Sequence, residues 1–239
     1  MKKLIGLSLM IAAISYGSQR VVVAEEFTAT WCTYCPGAVR GLIENYQRDY
    51  DSVVVIAYHS STSDPFYTVE SASRASYYGL TGFPTTYFDG TTSEIGGLHF
   101  GTMYPFYRHH ITTRLGVSSP LEIALVCNYD SIANSGTITA TILNTSGSAV
   151  DGNLHFVIVE DNIPFSWQGM TKCDFLMRDM LPDASGEAVT VPVSDTIIRS
   201  REFAIGATWN EIDCRIVVFV QAASRAIYQG SEISIVQQP

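Results

Sequence analysis

Charge is scarce in this sequence. Of its 239 residues only 15% are Asp, Glu, Lys or Arg, and the formal balance is −9. No basic run exists beyond Lys2-Lys3, which argues against nucleic acid or an anionic lipid surface as a partner. The extended apolar stretch Leu4–Ile14 is too short to span a bilayer as a helix. No paired carboxylates, Gly-rich phosphate loop or Ser/His/Asp order emerges, and each absence leaves the corresponding chemistry without candidate residues. No internal repeat or low-complexity tract is apparent.

What remains is a globular composition, 46% hydrophobic and 11% aromatic, long for one domain and comfortable for two. The first 17 residues read as an export signal. Lys2-Lys3 supply the charged region, Leu4–Ile14 the apolar region, and Ala13-x-Ser15 or Ser15-x-Gly17 a cleavage site. A buried N-terminal strand is the alternative. No cysteine follows closely, so a lipid anchor is not indicated. An exported location is expected; membrane attachment is left open. In that oxidising setting five cysteines, an odd number, leave at least one thiol free or paired outside the chain.

Residues 18–117 alternate apolar strands with helix-like stretches. Val21–Phe27 and Val53–Tyr58 read as strands, the second apolar throughout and suited to burial on both faces. Helices are expected over Pro36–Tyr50, within Thr62–Tyr78 and over Gly101–Leu115, with a hairpin turning at Asp89-Gly90. After Ser118-Ser119-Pro120 the period changes. Strands are expected from Leu121, and then over Gly136–Leu143, Asn153–Glu160, Glu187–Val193, Arg199–Ala204, Asp213–Gln221 and Ala226–Ile235. Short strands at regular spacing predict an antiparallel sandwich over 118–239.

The motif with chemistry in it is Trp31-Cys32-Thr33-Tyr34-Cys35-Pro36, between a strand and a helix. Cysteines three apart share a helix face, and the unpaired amides and positive dipole end of a first turn favour a thiolate. Cys32, nearer the helix start, is the expected nucleophile, and Cys35 the thiol that resolves the mixed disulfide. Pro36, lacking an N–H, suits a first turn. A structural disulfide and half of a zinc site are the alternatives. Zinc needs two more ligands, and His59, His99, His109 and His110 have no ligand-like spacing. No metal and no cofactor is expected.

Ala24–Gly97 resembles the thioredoxin family. Phe27-Thr28-Ala29-Thr30-Trp31-Cys32 is similar to that family's approach to its cysteines, and Gly79-Leu80-Thr81-Gly82-Phe83-Pro84-Thr85-Thr86 to its cis-proline loop. The resemblance implies an α/β thioredoxin-like N-terminal domain followed by an all-β immunoglobulin-like sandwich. It implies that Glu26 accepts the Cys35 proton and that Pro84 lies opposite the disulfide. Substrate would then meet Trp31, Phe83, Thr33 and Tyr34. Glu26, like Glu25, could instead be a surface charge at a strand end, and Pro84 an ordinary trans turn. Thr33-Tyr34 departs from the Gly-Pro of reducing thioredoxins, which leaves the direction of exchange open. The whole chain is also similar to a bacterial family of thioredoxin-like outer-membrane proteins, through Met177-Arg178-Asp179-Met180-Leu181-Pro182 and Val217-Val218-Phe219-Val220-Gln221, and this resemblance implies the periplasm, or the outer membrane and cell surface, of a bacterium.

In the second half Ile212, Cys214, Ile216, Val218 and Val220 are expected on one apolar side, with Cys127 either bridged to Cys214 or free as a packed thiol. Cys173 has no expected role. Two functions compete: an extracytoplasmic thiol–disulfide oxidoreductase acting on protein thiols or disulfides of the envelope, with a redox partner protein to recharge it, and a non-catalytic surface binding module with an inert disulfide. A peroxiredoxin is weaker, since Ala29 stands where that chemistry needs Thr.

Overall fold

The computed structural model describes residues 17–49 and 51–236. The expected export signal therefore lies, but for Gly17, outside the described residues. The first half contributes β1 (Val22–Thr28), α1 (Cys35–Arg48), β2 (Val53–His59), α2 (Val69–Tyr78), β3 (Thr85–Phe88), β4 (Thr92–Ile95) and α3 (Tyr104–Leu115). The helix ends follow local chemistry. Pro36 occupies the first turn of α1. Thr68 caps α2 in a reciprocal pair with Ser71, and Gly79 closes that helix in the left-handed region at φ 68°.

The second half contributes β5 (Leu121–Asp130), β6 (Ser135–Asn144), β7 (Val150–Glu160), β8 (Ile163–Trp167), β9 (Met170–Cys173), β10 (Leu176–Leu181), β11 (Glu187–Val191), β12 (Thr196–Ala204), β13 (Cys214–Gln221) and β14 (Ile227–Ser234). Eight strands form a continuous mixed sheet in the order β14-β13-β7-β10-β2-β1-β3-β4, and β11 also pairs with β7. β2 is parallel to both β1 and β10, while the other pairs are antiparallel. A second sheet, β12-β6-β5, and the β8–β9 hairpin stand apart.

This corrects the expected architecture. The protein is mostly β, and it is not an α/β thioredoxin-like domain followed by an immunoglobulin-like sandwich. The physical reason lies in β7 and β13, which are apolar on both faces. Successive side chains of a strand point to opposite sides. Val157, Val159, Val217 and Phe219 enter a core shared with Val22, Ile56 and Ile111 of the first half. Phe156, Ile158, Ile216 and Val218 enter a second core against Ile138 and Ile142 of the three-stranded sheet. A free-standing sandwich would leave the first of these faces in water.

Most elements fall close to the predicted spans, but β8, β9 and β10 were not foreseen. β10 is the strand that joins the halves, and its polar interior (Arg178, Asp179) and bulge between Met177 and Asp179 hide its period. Ile212, expected on the Cys214 face, is 64% exposed. It lies in the short turn ahead of β13, and Cys214, Ile216, Val218 and Val220 do share the second core. Cys127, Cys173 and Cys214 are all free thiols.

Polar groups also cross between the halves. Arg74 of α2 donates to Glu25 of β1 (2.5 Å) and to Gln221 of β13 (2.9 Å), and the same carboxylate accepts from Tyr58 and Tyr78. All five side chains are buried. Arg74→Ala strands the Glu25 charge in the core, and unfolding by denaturant is expected to show a loss on the order of 3–5 kcal/mol; a loss under 1 kcal/mol would contradict this account.

Candidate functional site

The last residues of β1 lead into a loop, Ala29 to Tyr34, whose shape is set by hydrogen bonds. The Cys32 amide donates to the Ala29 carbonyl (3.0 Å), and the Cys35 amide to the Cys32 carbonyl (3.3 Å). The Thr30 amide donates to Asp64 (2.5 Å), whose other oxygen accepts from Phe66 N–H and pairs with His59 Nδ1 at 3.1 Å. Burial pushes the Asp64 pKa up, but His59 and the two amides outweigh it and hold the carboxyl below its ordinary range. Asp64 thus anchors the cysteine loop, a role that sequence reading missed; its place in a Ser/Asp-rich stretch gave no signal of it.

Cys32 and Cys35 are joined as a disulfide. Cys35 opens α1, and Cys32 lies one turn ahead of it. Cys35 is fully buried and Cys32 is 5% exposed, so the expected order of exposure holds, although Cys32 is more enclosed than expected. Thr33 is exposed, and Trp31 (51%) and Tyr34 (59%) project into solvent. Phe83 packs against the cluster holding both cysteines and meets Trp31 edge-on at 5.8 Å between ring centres. The Phe83–Pro84 peptide is cis. Pro84 and the Tyr34 carbonyl both close on Gly97, where a Cβ would collide with them. Phe83 is therefore brought to the cysteines and to Trp31, and Pro84 to the backbone of Tyr34 across Gly97.

The two adjacent glutamates separate. Both are completely buried, so neither is a surface charge. Pointing to opposite faces of β1, they meet different surroundings. Glu25 reaches Arg74 and the tyrosines of α2. Glu26 lies in register with Thr86, which donates to Tyr107 of α3. Neither Glu26 oxygen has a hydrogen-bond partner. Burial alone pushes its pKa up to about 8.

The β8–β9 hairpin covers the same region from the second half of the chain. Trp167 and Cys173 are buried in one cluster with Ala29, Cys32, Cys35 and Val39, and Phe165 meets Phe66 at 5.0 Å. Gln168 Nε2 donates to the Trp31 carbonyl at 3.3 Å. One signal for this hairpin was present: Gln168-Gly169 separates two short strands, and both residues take positive φ.

The model of a known family, outer membrane protein Omp28, matches residues 71–238. The chain belongs to the Omp28 outer membrane protein family. It is accordingly an exported bacterial protein associated with the outer membrane or cell surface. The segments 177–182 and 217–221, which suggested an outer-membrane family, lie inside the match, whereas Cys32 and Cys35 lie outside it. Among solved structures the chain is similar to HBP35 of Porphyromonas gingivalis, at 20% identity over 92% of this chain and 76% of that one, with a TM-score of 0.73. It is also similar to an Agrobacterium tumefaciens protein, at 15% identity over 93% and 98% of the two chains, with a TM-score of 0.58. At these identities the likeness is one of fold alone. No curated protein matches the chain.

Burial of Glu26 has a consequence for stability. Its folded pKa is raised, so its contribution is fully present below about 4.5, the ordinary carboxyl value, and is lost as pH rises towards about 8. Glu26→Gln, neutral at every pH, is expected to flatten the decline of unfolding free energy across this window. At pH 8 the variant should exceed the wild type by on the order of 3–5 kcal/mol. Parallel curves for the two proteins between pH 4.5 and 8 would refute the assignment.

Proposed function

We propose that this chain is an envelope protein that exchanges disulfides with protein substrates through Cys32 and Cys35. One observation carries the proposal: a closed Cys-x-x-Cys disulfide at a helix start, with Cys32 5% exposed and Cys35 fully buried, in a chain whose neighbouring strand β1 holds a buried carboxyl, Glu26, without a hydrogen-bond partner. In the reduced protein the Cys32 thiolate, favoured by the amides and dipole of the first turn of α1, attacks a substrate disulfide. One substrate sulfur leaves as a thiolate and the other joins Cys32. Cys35 passes its proton to Glu26 and attacks the Cys32 sulfur, which restores the intramolecular disulfide and releases the second substrate thiol. Trp31, Tyr34 and Phe83 offer an aromatic rim to the substrate chain, with Thr33 between them and Pro84 opposite.

A second reading is a non-catalytic envelope or surface binding module in which the disulfide is a staple. Comparison with known proteins favours it over the first, since the matched family is described by its place in the outer membrane and the match excludes both cysteines.

Reduction of a small disulfide-bonded test protein separates the two. Reduced wild-type chain should accelerate it, and Cys32→Ser should remove the acceleration by about 100-fold or more. Equal rates for wild type and Cys32→Ser would leave the binding module.

A further inference from the structure

A third sulfur sits at the dithiol site and has no part in the exchange described above. Cys173 ends β9, is 1% exposed and is a free thiol. It belongs to the same small apolar cluster as Cys32 and Cys35, although more than 130 positions along the chain separate it from them. Three structural features hold it there. Cys173 pairs across the hairpin with Ile163, the hairpin turn is tied to the cysteine loop by Gln168, and Leu176, three residues on, is in register with Ala57, the parallel partner of Glu26. An independent observation adds a proton-carrying group along the same register: both oxygens of Glu26, which pairs with Ala57, are buried and unpartnered.

We propose that Cys173 is a third redox thiol of the site, able to resolve a mixed disulfide on Cys32 in place of Cys35. This rests on the disulfide-exchange function proposed above. The Cys173 thiol gives its proton to the ionised form of Glu26, the minor form below about pH 8, and its sulfur attacks the Cys32 sulfur. The bond between Cys32 and the substrate breaks, the substrate leaves as a thiolate that takes a proton from solvent, and a Cys32–Cys173 disulfide forms. Cys35 can then attack Cys32, regenerating the Cys32–Cys35 disulfide and returning Cys173 as a thiol. No external oxidant or reductant enters, because each step exchanges one disulfide for another. Burial, with Asp64 and Asp174 adding to it, pushes the Cys173 pKa up to about 12. Its thiolate is therefore rare at neutral pH, which makes Cys173 a slow second resolver behind Cys35.

The test uses the full chain in reduced form as Cys35→Ser, as Cys35→Ser/Cys173→Ala and as Cys35→Ser/Cys173→Ser, each checked for an unchanged melting transition. Each is reacted with oxidised glutathione and followed by mass spectrometry of acid-quenched peptides. In Cys35→Ser the Cys32–glutathione adduct should form and then decay into a Cys32–Cys173 linked peptide, faster as pH rises. Where position 173 is Ala or Ser, the adduct should persist about 10-fold longer or more. Equal persistence in all three proteins, or a linkage of Cys32 to Cys127 or Cys214 instead, overturns the role of Cys173 and leaves exchange at Cys32 intact. Absence of any adduct on Cys32 overturns both.

Discussion

Two strands, β7 and β13, carry apolar side chains on both of their faces, and burying both faces at once is the constraint on which the architecture depends. Each fully buried aliphatic or aromatic side chain is worth on the order of 1.5–3 kcal/mol, so leaving Val157, Val159, Val217 and Phe219 in water would be prohibitive for a marginally stable chain. The first half of the sequence supplies the missing cover. The backbone seam between the halves is short: Leu176 is in register with Ala57, the Ala57 amide donates to the Phe175 carbonyl at 2.7 Å, the Ile227 amide to the Asp89 carbonyl at 2.8 Å, and Ser18 bridges Ser119. Side chains widen it. Gln229 of β14 accepts from Val21 N–H, and Arg20 donates to Asp89 and to the Ile227 carbonyl.

The seam also builds the site. Because β10 lies against β2, the chain just before it, β8 and β9, is delivered to the end of the sheet where β1 gives way to the cysteine loop. Trp167, Phe165 and Cys173 then close over the disulfide, and its surroundings are drawn from both ends of the sequence. The low exposure of Cys32 follows from this cover and from the Asp64 anchor beneath the loop.

Glu25 and Glu26 illustrate how neighbours of one type acquire different chemistry. Both carboxyls lose their hydration on burial. Glu25 recovers it from a guanidinium and two phenols and becomes part of the scaffold. Glu26 recovers nothing and holds its proton to about pH 8, a value at which a carboxyl can take up or release a proton near neutrality. One step along a strand makes the difference, because it reverses the face.

Much of this molecule was legible in its residues. The apolar run 53–58, the Pro36 helix start, the Asp89-Gly90 turn and the alternation from Leu121 onward each depend on local steric and hydrophobic preferences, so sequence determined them. The Cys-x-x-Cys motif, the aromatic rim and the neighbouring glutamates were visible as residue types at fixed spacing. Tertiary structure alone decided that the two halves share one sheet, that Glu25 pairs while Glu26 does not, that Asp64 anchors the cysteine loop, and that Cys173 joins Cys32 and Cys35. Periodicity records which positions avoid water; it does not record which distant strand or side chain covers them, because that follows from packing of the whole chain against itself.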